Sequence, residues 1–153
     1  MSKFLFKLQP MLNIKMQMED SLKNELGKAT QKLEIEKNKL KLLEEDREES
    51  IIQIKAKFSQ GVAVGKLREF SSYISLLAKK MEFQKENINY AQNNVDRYRR
   101  ELIKVVQEKK ILEKIKEKKY QNYLKEELMK EQQMNNEIIS FSFNKNLAGE
   151  KNG

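Results

Sequence analysis

The chain has 153 residues, of which 35% are charged and 8% aromatic, and its formal net charge is +8. This composition, with one proline and five glycines, is typical of long helices or a coiled coil and not of a broad globular core. The chain has no cysteine and no histidine, which excludes disulfides, Cys/His zinc sites and a cysteine nucleophile. We therefore expect one all-α domain that is not an enzyme and uses no metal or cofactor.

The first ten residues contain three consecutive large apolar side chains, Phe4, Leu5 and Phe6. Pro10 is compatible with the first turn of a helix, because its missing N–H is not needed there. We therefore predict that helix one covers about residues 8–58 and that the apolar residues before it form an extended arm or a lid. Lys7 and Pro10 interrupt the run too early for a signal peptide, and no stretch is long and apolar enough for a transmembrane segment.

Helix one is predicted to carry apolar residues at alternating steps of four and three. This spacing keeps one stripe, or seam, facing a partner helix in a left-handed coiled coil. The seam positions are Leu22, Leu26, Ala29, Leu33, Glu36, Leu40, Leu43, Arg47, Ser50 and Ile54. Three of them are polar, and polar residues at such positions lower stability but fix the register of the helices.

A predicted turn at residues 59–66 separates two helical patterns and contains Gly61 and Gly65. Glycine adopts positive φ without steric cost, so the pair predicts a reversal of the chain. The alternative is that the glycines interrupt one long helix of an intermolecular coiled coil. The segment from Gly61 to Lys66 is not a phosphate-binding loop, because the glycines are too close together, Leu67 replaces Ser/Thr and no strand precedes it.

Helix two is predicted over about residues 66–135, with a loose tail to residue 153. Its seam repeats the same steps over about six heptads, which is long enough to indicate a coiled coil. The seam positions are Phe70, Ile74, Leu77, Met81, Gln84, Ile88, Ala91, Val95, Tyr98, Leu102, Val105, Lys109 and Leu112. Beyond residue 131 the seam is lost, which predicts a frayed end.

Antiparallel pairing of the two seams predicts a long two-helix coiled-coil hairpin within one chain. The residue numbers of each pair add to 124, which centres the hairpin on Val62 in the predicted turn. The predicted pairs include Leu26–Tyr98, Ala29–Val95, Leu33–Ala91, Leu40–Gln84 and Leu43–Met81. Asp46 and Lys80 fall on the same flank and could form an ion pair.

Positive charge is concentrated in residues 97–119, which contain ten basic and four acidic side chains. The predicted pairing places this block at the open end of the hairpin, away from the acidic run at residues 44–49. Such a block fits an acidic partner, although a solvated helix face has the same pattern. A nucleic acid is less favoured, because aromatic residues are sparse and no RNA-binding motif is present. A membrane surface is also less favoured, because the other helix covers the narrow apolar stripe.

The opening of the chain carries a more specific pattern than the heptads do. It reads Phe4-x-Phe6-x-Leu8-Gln9-x-x-Leu12-x-Ile14-Lys15, followed by Glu19-Asp20. With a helical hairpin of this length behind it, the pattern resembles the flagellar export protein FliJ family over nearly the whole chain. The alternatives are the similar helical stalks of injectisome secretion systems and rotary ATPases, a nucleic-acid-binding coiled coil, and a generic scaffold protein.

The resemblance implies a component of the flagellar type III protein export apparatus, and hence a role in motility and chemotaxis. Members of this family bind the hexameric export ATPase at its centre with the open end of the hairpin. Another part of the hairpin contacts the membrane export gate, and some members also bind export chaperones. The expected location is the cytoplasm, peripheral at the inner membrane at the flagellar base. The free chain is expected to be a monomer that binds no nucleic acid.

The resemblance also indicates candidate contact residues on both surfaces. For the gate they are Leu43, Tyr73 and Leu77, although the first and last also belong to the predicted seams. For the ATPase we expect the basic block, represented by Lys104, Lys110, Lys114 and Lys118. Four neighbours of the gate candidates depart from the family pattern: Asp46, Ser50, Lys80 and Gln84.

Overall fold

The computed structural model describes residues 2–151, with side chains described for residues 2–149. Two long helices, α1 (Gln9–Phe58) and α2 (Val64–Lys151), pack against each other as a hairpin. The fold class predicted from the heptads is therefore confirmed, and the described residues contain no strand. No helix among them is long and apolar enough to cross a membrane.

The chain reverses direction between Phe58 and Val64, inside the predicted turn. Gly61 has a φ of +87°, a conformation that glycine adopts without the steric cost of a side chain. Its N–H donates to the carbonyl of Phe58 at 3.2 Å, which closes the last turn of α1. Gly65 already lies within α2, so only one of the two predicted glycines makes the reversal.

The residues cluster into two compact units. Unit 1 contains the residues up to Gln17 together with those from Val106 onward, and unit 2 contains Met18–Val105. Each unit has an apolar cluster of its own, formed by side chains from both limbs of the hairpin.

Unit 2 is built on the predicted seams. Its buried cluster consists of Leu33, Ala91 and Val95, with Leu26, Ala29 and Ile88 packed against it. The predicted pair Leu33–Ala91 lies in the cluster, and in the predicted pair Ala29–Val95 Ala29 packs against it. Every seam residue predicted for α2 in this unit is buried or half-buried, so the spacing of four and three identifies the packed face.

A buried polar layer lies within the same seam and differs from the predicted pairing. The Gln84 side-chain amide donates to the Glu36 backbone carbonyl at 2.8 Å and to its carboxylate at 2.5 Å, whereas the pairing placed Gln84 opposite Leu40. The amide reaches the residue one turn earlier because Glu36 offers a carboxylate acceptor beside its backbone carbonyl, whereas the leucine side chain offers no acceptor. This bond, followed by contacts with Lys32 and Lys39, lowers the pKa of Glu36 from 4.5 to about 2.

Unit 1 contains the non-helical residues 2–8, which we call the N-terminal arm. Phe6 of the arm is buried with Leu12 and Leu112. Phe4 packs against Tyr120 in an edge-to-face arrangement with ring centroids 5.2 Å apart. The Ser2 hydroxyl donates to Glu127 at 2.8 Å. The arm is therefore a packed part of this unit, as the apolar residues before helix one predicted.

Helix α2 continues to Lys151, beyond the end predicted near residue 135. The described side chains from residue 128 to 149 are all exposed. Loss of the seam therefore marks the end of packing and not the end of the helix. The segment remains helical because proline is absent from it and glycine does not appear before Gly149.

Candidate functional site

The first candidate surface lies in unit 2 around Tyr73. The phenol of Tyr73 donates a hydrogen bond of 2.6 Å to Asp46, and the Ser50 hydroxyl donates to the other oxygen of the same carboxylate at 3.3 Å. The bond to Asp46 raises the pKa of Tyr73 above its ordinary value, because the phenol donates to a carboxylate. Asp46 is thus held by these hydroxyls, whereas the sequence predicted that it could pair with Lys80.

The three residues predicted for the gate differ in accessibility. Tyr73 is 40% exposed and presents its ring to solvent. Leu43 is half-buried, and Leu77 is only 2% exposed. The structure therefore brings one accessible side chain to this surface, while Leu77 packs between the helices.

A groove of about 470 Å³ lies beside these residues in unit 2. Its lining consists of Lys39, Leu42, Leu43, Asp46, Lys80, Phe83 and Gln84. The sequence analysis missed Leu42 and Phe83, which are exposed apolar residues next to the seam. The sequence pattern that could have identified Leu42 and Phe83 is an apolar residue directly before a seam residue, which occurs on both helices.

The second candidate surface lies in unit 1 on α2 and is formed by Lys110, Lys114 and Lys118, which we call the basic surface. All three side chains are exposed. Their spacing of four places them on one face of the helix. Lys104 is also exposed but belongs to unit 2, so the four predicted lysines do not fall in one unit.

The acidic residues near the basic surface interact with other groups. Glu113 lies 4.0 Å from the Lys109 ammonium, and Glu117 accepts a hydrogen bond of 3.0 Å from Gln121. Glu108 forms an ion pair with Lys15. Within the part of the chain that the structure describes, none of the three lysines takes part in an ion pair. The surface therefore presents three exposed lysines that form no ion pair with the described residues.

A second feature of unit 1 is a groove of about 590 Å³ between the N-terminal arm and α2. Phe4, Leu12 and Tyr120 supply its apolar lining, and Glu113 and Glu117 its carboxylates. The arm therefore positions an aromatic ring beside the helix that carries the basic surface.

Comparison with known proteins gives a family and a related structure. The model of the family "Flagellar FliJ protein" matches residues 3–148. A structure described as a YscO homolog, CT670 from Chlamydia trachomatis, is similar with a TM-score of 0.65 and 25% identity. The similarity covers 89% of this chain and 93% of that chain. A comparison with curated protein sequences finds no match.

Proposed function

The chain belongs to the flagellar FliJ protein family, and we propose that it binds the hexameric export ATPase and couples it to the membrane export gate. The family match and the YscO-like structure identify the chain as a component of flagellar or related type III export. The proposed contacts with the ATPase and the gate are based on the surfaces of the two units.

The observation that carries the ATPase contact is the set of exposed lysines on the basic surface, which form no ion pair within the described part of the chain. Three exposed lysines share one face of α2, and the nearby carboxylates interact with other groups. Such a surface attracts an acidic partner and accelerates its association. We assign the ATPase contact to Lys110, Lys114 and Lys118, with Lys104 as a separate contribution from unit 2.

The gate contact is proposed at Tyr73. Its ring is accessible, and the hydrogen bond to Asp46 restricts the orientation of the ring. Leu43 and Leu77 then act by holding α2 against α1 beneath this surface, because their side chains are more buried.

The proposed mechanism is allosteric and requires no catalytic group in this chain. A protein that binds one conformation of a ring better than another shifts the ring toward that conformation. A tenfold shift of the ring toward one conformation requires about 1.4 kcal/mol of difference in binding free energy between the conformations. A few ion pairs formed in only one ring conformation can supply a difference of that order.

Purified export ATPase provides the test. Simultaneous Lys110→Glu, Lys114→Glu and Lys118→Glu substitutions should weaken its binding to the chain and slow association. A matched control reverses three exposed lysines of α1 in unit 2: Lys37, Lys41 and Lys55. Circular dichroism should show that both variants keep the helical content of the parent chain.

Equal loss of ATPase binding in both variants would refute the assignment to the basic surface. A titration with DNA and RNA at two salt concentrations separates the main alternative. If the ATPase is not bound and nucleic acid is bound with a steep dependence on salt, the chain is a nucleic-acid-binding coiled coil.

A further inference from the structure

The exposed part of α2 contains residues 138–144, which carry no charged side chain and which we call the neutral segment. It reads Ile138-Ile139-Ser140-Phe141-Ser142-Phe143-Asn144. Its four large apolar side chains are 59–69% exposed, so neither α1 nor the N-terminal arm buries them. An uncharged, apolar stretch of α2 is thus left open to solvent.

The helical form of the neutral segment has little support from packing. Most of the stability of a helix in a protein comes from burial of one of its faces, and here all the side chains are exposed. Isoleucine, serine, phenylalanine and asparagine are weaker helix formers than alanine or leucine. Isoleucine and phenylalanine are also enriched in strands. The free-energy difference between a helical and an extended neutral segment is therefore small.

The order of the apolar residues fits a strand better than a helix. Residues two positions apart do not face each other on a helix, so Phe141 points away from both Ile139 and Phe143. In a strand, residues two positions apart share one face, which brings Ile139, Phe141 and Phe143 together. Ser140 and Ser142 then occupy the opposite face. The extended form thus gathers into one apolar surface three side chains that the helix separates.

Charged residues flank the neutral segment on the same face of its extended form. Glu137 precedes Ile139 by two positions, and Lys145 follows Phe143 by two positions. The face therefore carries an acidic residue, three apolar residues and a basic residue in that order. Opposite charges directly across two strands stabilise their pairing, whereas like charges weaken it. A complementary strand has apolar residues between a basic residue and an acidic one.

We propose that residues 137–145 bind a partner protein as an added β-strand, at an exposed edge of a sheet that has an apolar face. In this mode backbone hydrogen bonds supply the affinity and alternate side chains supply the specificity. The partner's edge strand places a basic residue opposite Glu137 and an acidic residue opposite Lys145. The occupant is a sheet edge and not a second copy of this chain, because two strands alone are only marginally stable in water. This inference rests on neither the ATPase contact nor the gate contact.

The probe is a fluorescent macrocyclic β-hairpin with one free edge. That edge carries three valines on one face, with a glutamate before them and a lysine after them, so it matches the charges of residues 137–145 in the antiparallel direction. Fluorescence anisotropy with the full chain should show saturable binding. The helical circular dichroism of the chain should fall on binding, because residues 137–145 leave the helix.

Two modified hairpins serve as controls. In the first, N-methyl groups on the amides of the free edge remove the hydrogen-bond donors while the side chains stay the same. Its binding should be at least about tenfold weaker, because strand addition depends on those donors. In the second, glutamate replaces the flanking lysine. Its binding should be about threefold weaker, because Glu137 then meets a like charge.

Paired substitutions in the chain distinguish a bound strand from a bound helix. Phe141→Ser with Phe143→Ser should weaken binding of the hairpin at least about tenfold, because both apolar contacts are lost. The matched control is Met129→Ser with Met134→Ser, which removes two exposed apolar side chains of α2 outside the neutral segment. Met134 lies four positions before Ile138 and shares a helical face with it. The control should leave strand binding unchanged, whereas it would weaken binding through a helical face.

A second pair tests the change of conformation. Ser140→Ala with Ser142→Ala raises the helix propensity of the neutral segment and leaves its apolar residues in place. Binding of the hairpin should therefore weaken about threefold, because more free energy is needed to extend the segment.

Four outcomes would overturn the proposal. They are no saturable binding of the unmodified hairpin, equal binding of the N-methylated hairpin, equal effects of the two serine pairs, and unchanged binding after the alanine substitutions. Sedimentation equilibrium of the chain alone tests a second copy as the occupant. A dimer that is abolished by Phe141→Ser with Phe143→Ser would assign the neutral segment to self-association and would also overturn the proposal.

Discussion

Truncating Leu77 tests whether the assigned seam carries the stability of unit 2. The substitution Leu77→Ala removes three carbon atoms from a side chain that is 2% exposed. At about 0.8 kcal/mol for each buried carbon, the lost transfer free energy is about 2.4 kcal/mol. Incomplete collapse of the site adds a cavity contribution, so we expect a total loss of roughly 3–4 kcal/mol in the free energy of unfolding.

Leu42→Ala is the matched control, because it removes the same atoms from the same unit. The Leu42 side chain is 64% exposed in the free chain, so most of its surface is already in water. We expect a change of no more than about 0.5–1 kcal/mol, partly offset by the higher helix propensity of alanine. The pair of variants therefore separates burial from residue type.

Urea denaturation followed by circular dichroism measures both free energies. The midpoint should fall for Leu77→Ala while the slope with urea concentration stays constant. In a chain of this size each kcal/mol lowers the melting temperature by about 2–4 °C, so the expected shift is roughly 6–16 °C. Equal losses for the two variants, or a larger loss for Leu42→Ala, would refute the assignment of the seam.

The remaining predictions concern register, protonation and the turn. Cysteines at Ala29 and Val95 should form a disulfide within one chain on mild oxidation, whereas purely intermolecular disulfides on gel filtration would contradict the hairpin. The folded-state pKa of Glu36 is below its ordinary value, so its contribution to stability is complete above pH 4.5 and is lost as the pH falls toward about 2. Gln84→Leu should raise this pKa and flatten the pH dependence of the melting temperature, and an unchanged profile would contradict the role of the amide. The raised pKa of Tyr73 predicts a contribution that is complete below pH 10 and is lost as the pH rises through the folded-state pKa. Spectrophotometric titration should show the shift reduced by Asp46→Asn, and Tyr73→Phe is the control without a phenol.

The heptads were sufficient to predict the fold, because their steps depend only on helix geometry. A residue such as Val95 is identified as buried once its neighbours at steps of four and three are apolar. The partner of Gln84 in the polar layer was harder to predict, because hydrogen-bond geometry and not periodicity determines which group a side-chain amide contacts. The Gln84 amide therefore bonds Glu36 although the periodicity favoured Leu40.

The candidate surfaces were only partly predictable. The basic surface follows from charge and a spacing of four, both of which can be read from the sequence. The groove beside Tyr73 was missed because the heptad pattern assigns Leu42 and Phe83 to the surface and not to the seam. Their significance depends on both lying in the same groove, which is a property of the folded pair of helices.

The polar contacts of unit 2 specify the register of α1 against α2. The apolar contacts alone would specify this register less strictly. Apolar seam residues recur every heptad, so an alternative pairing displaced by one heptad would still bury leucine against leucine. It would also separate the Gln84 amide from the Glu36 carboxylate and the Tyr73 phenol from Asp46. A buried amide without its acceptor is costly, and Gln84 is buried, so displaced pairings are disfavoured. The register in turn determines that Leu42 stands across the groove from Phe83 and that Tyr73 lies beside Asp46. Residues that contribute little to apolar burial thereby determine which side chains the hairpin presents to its partners.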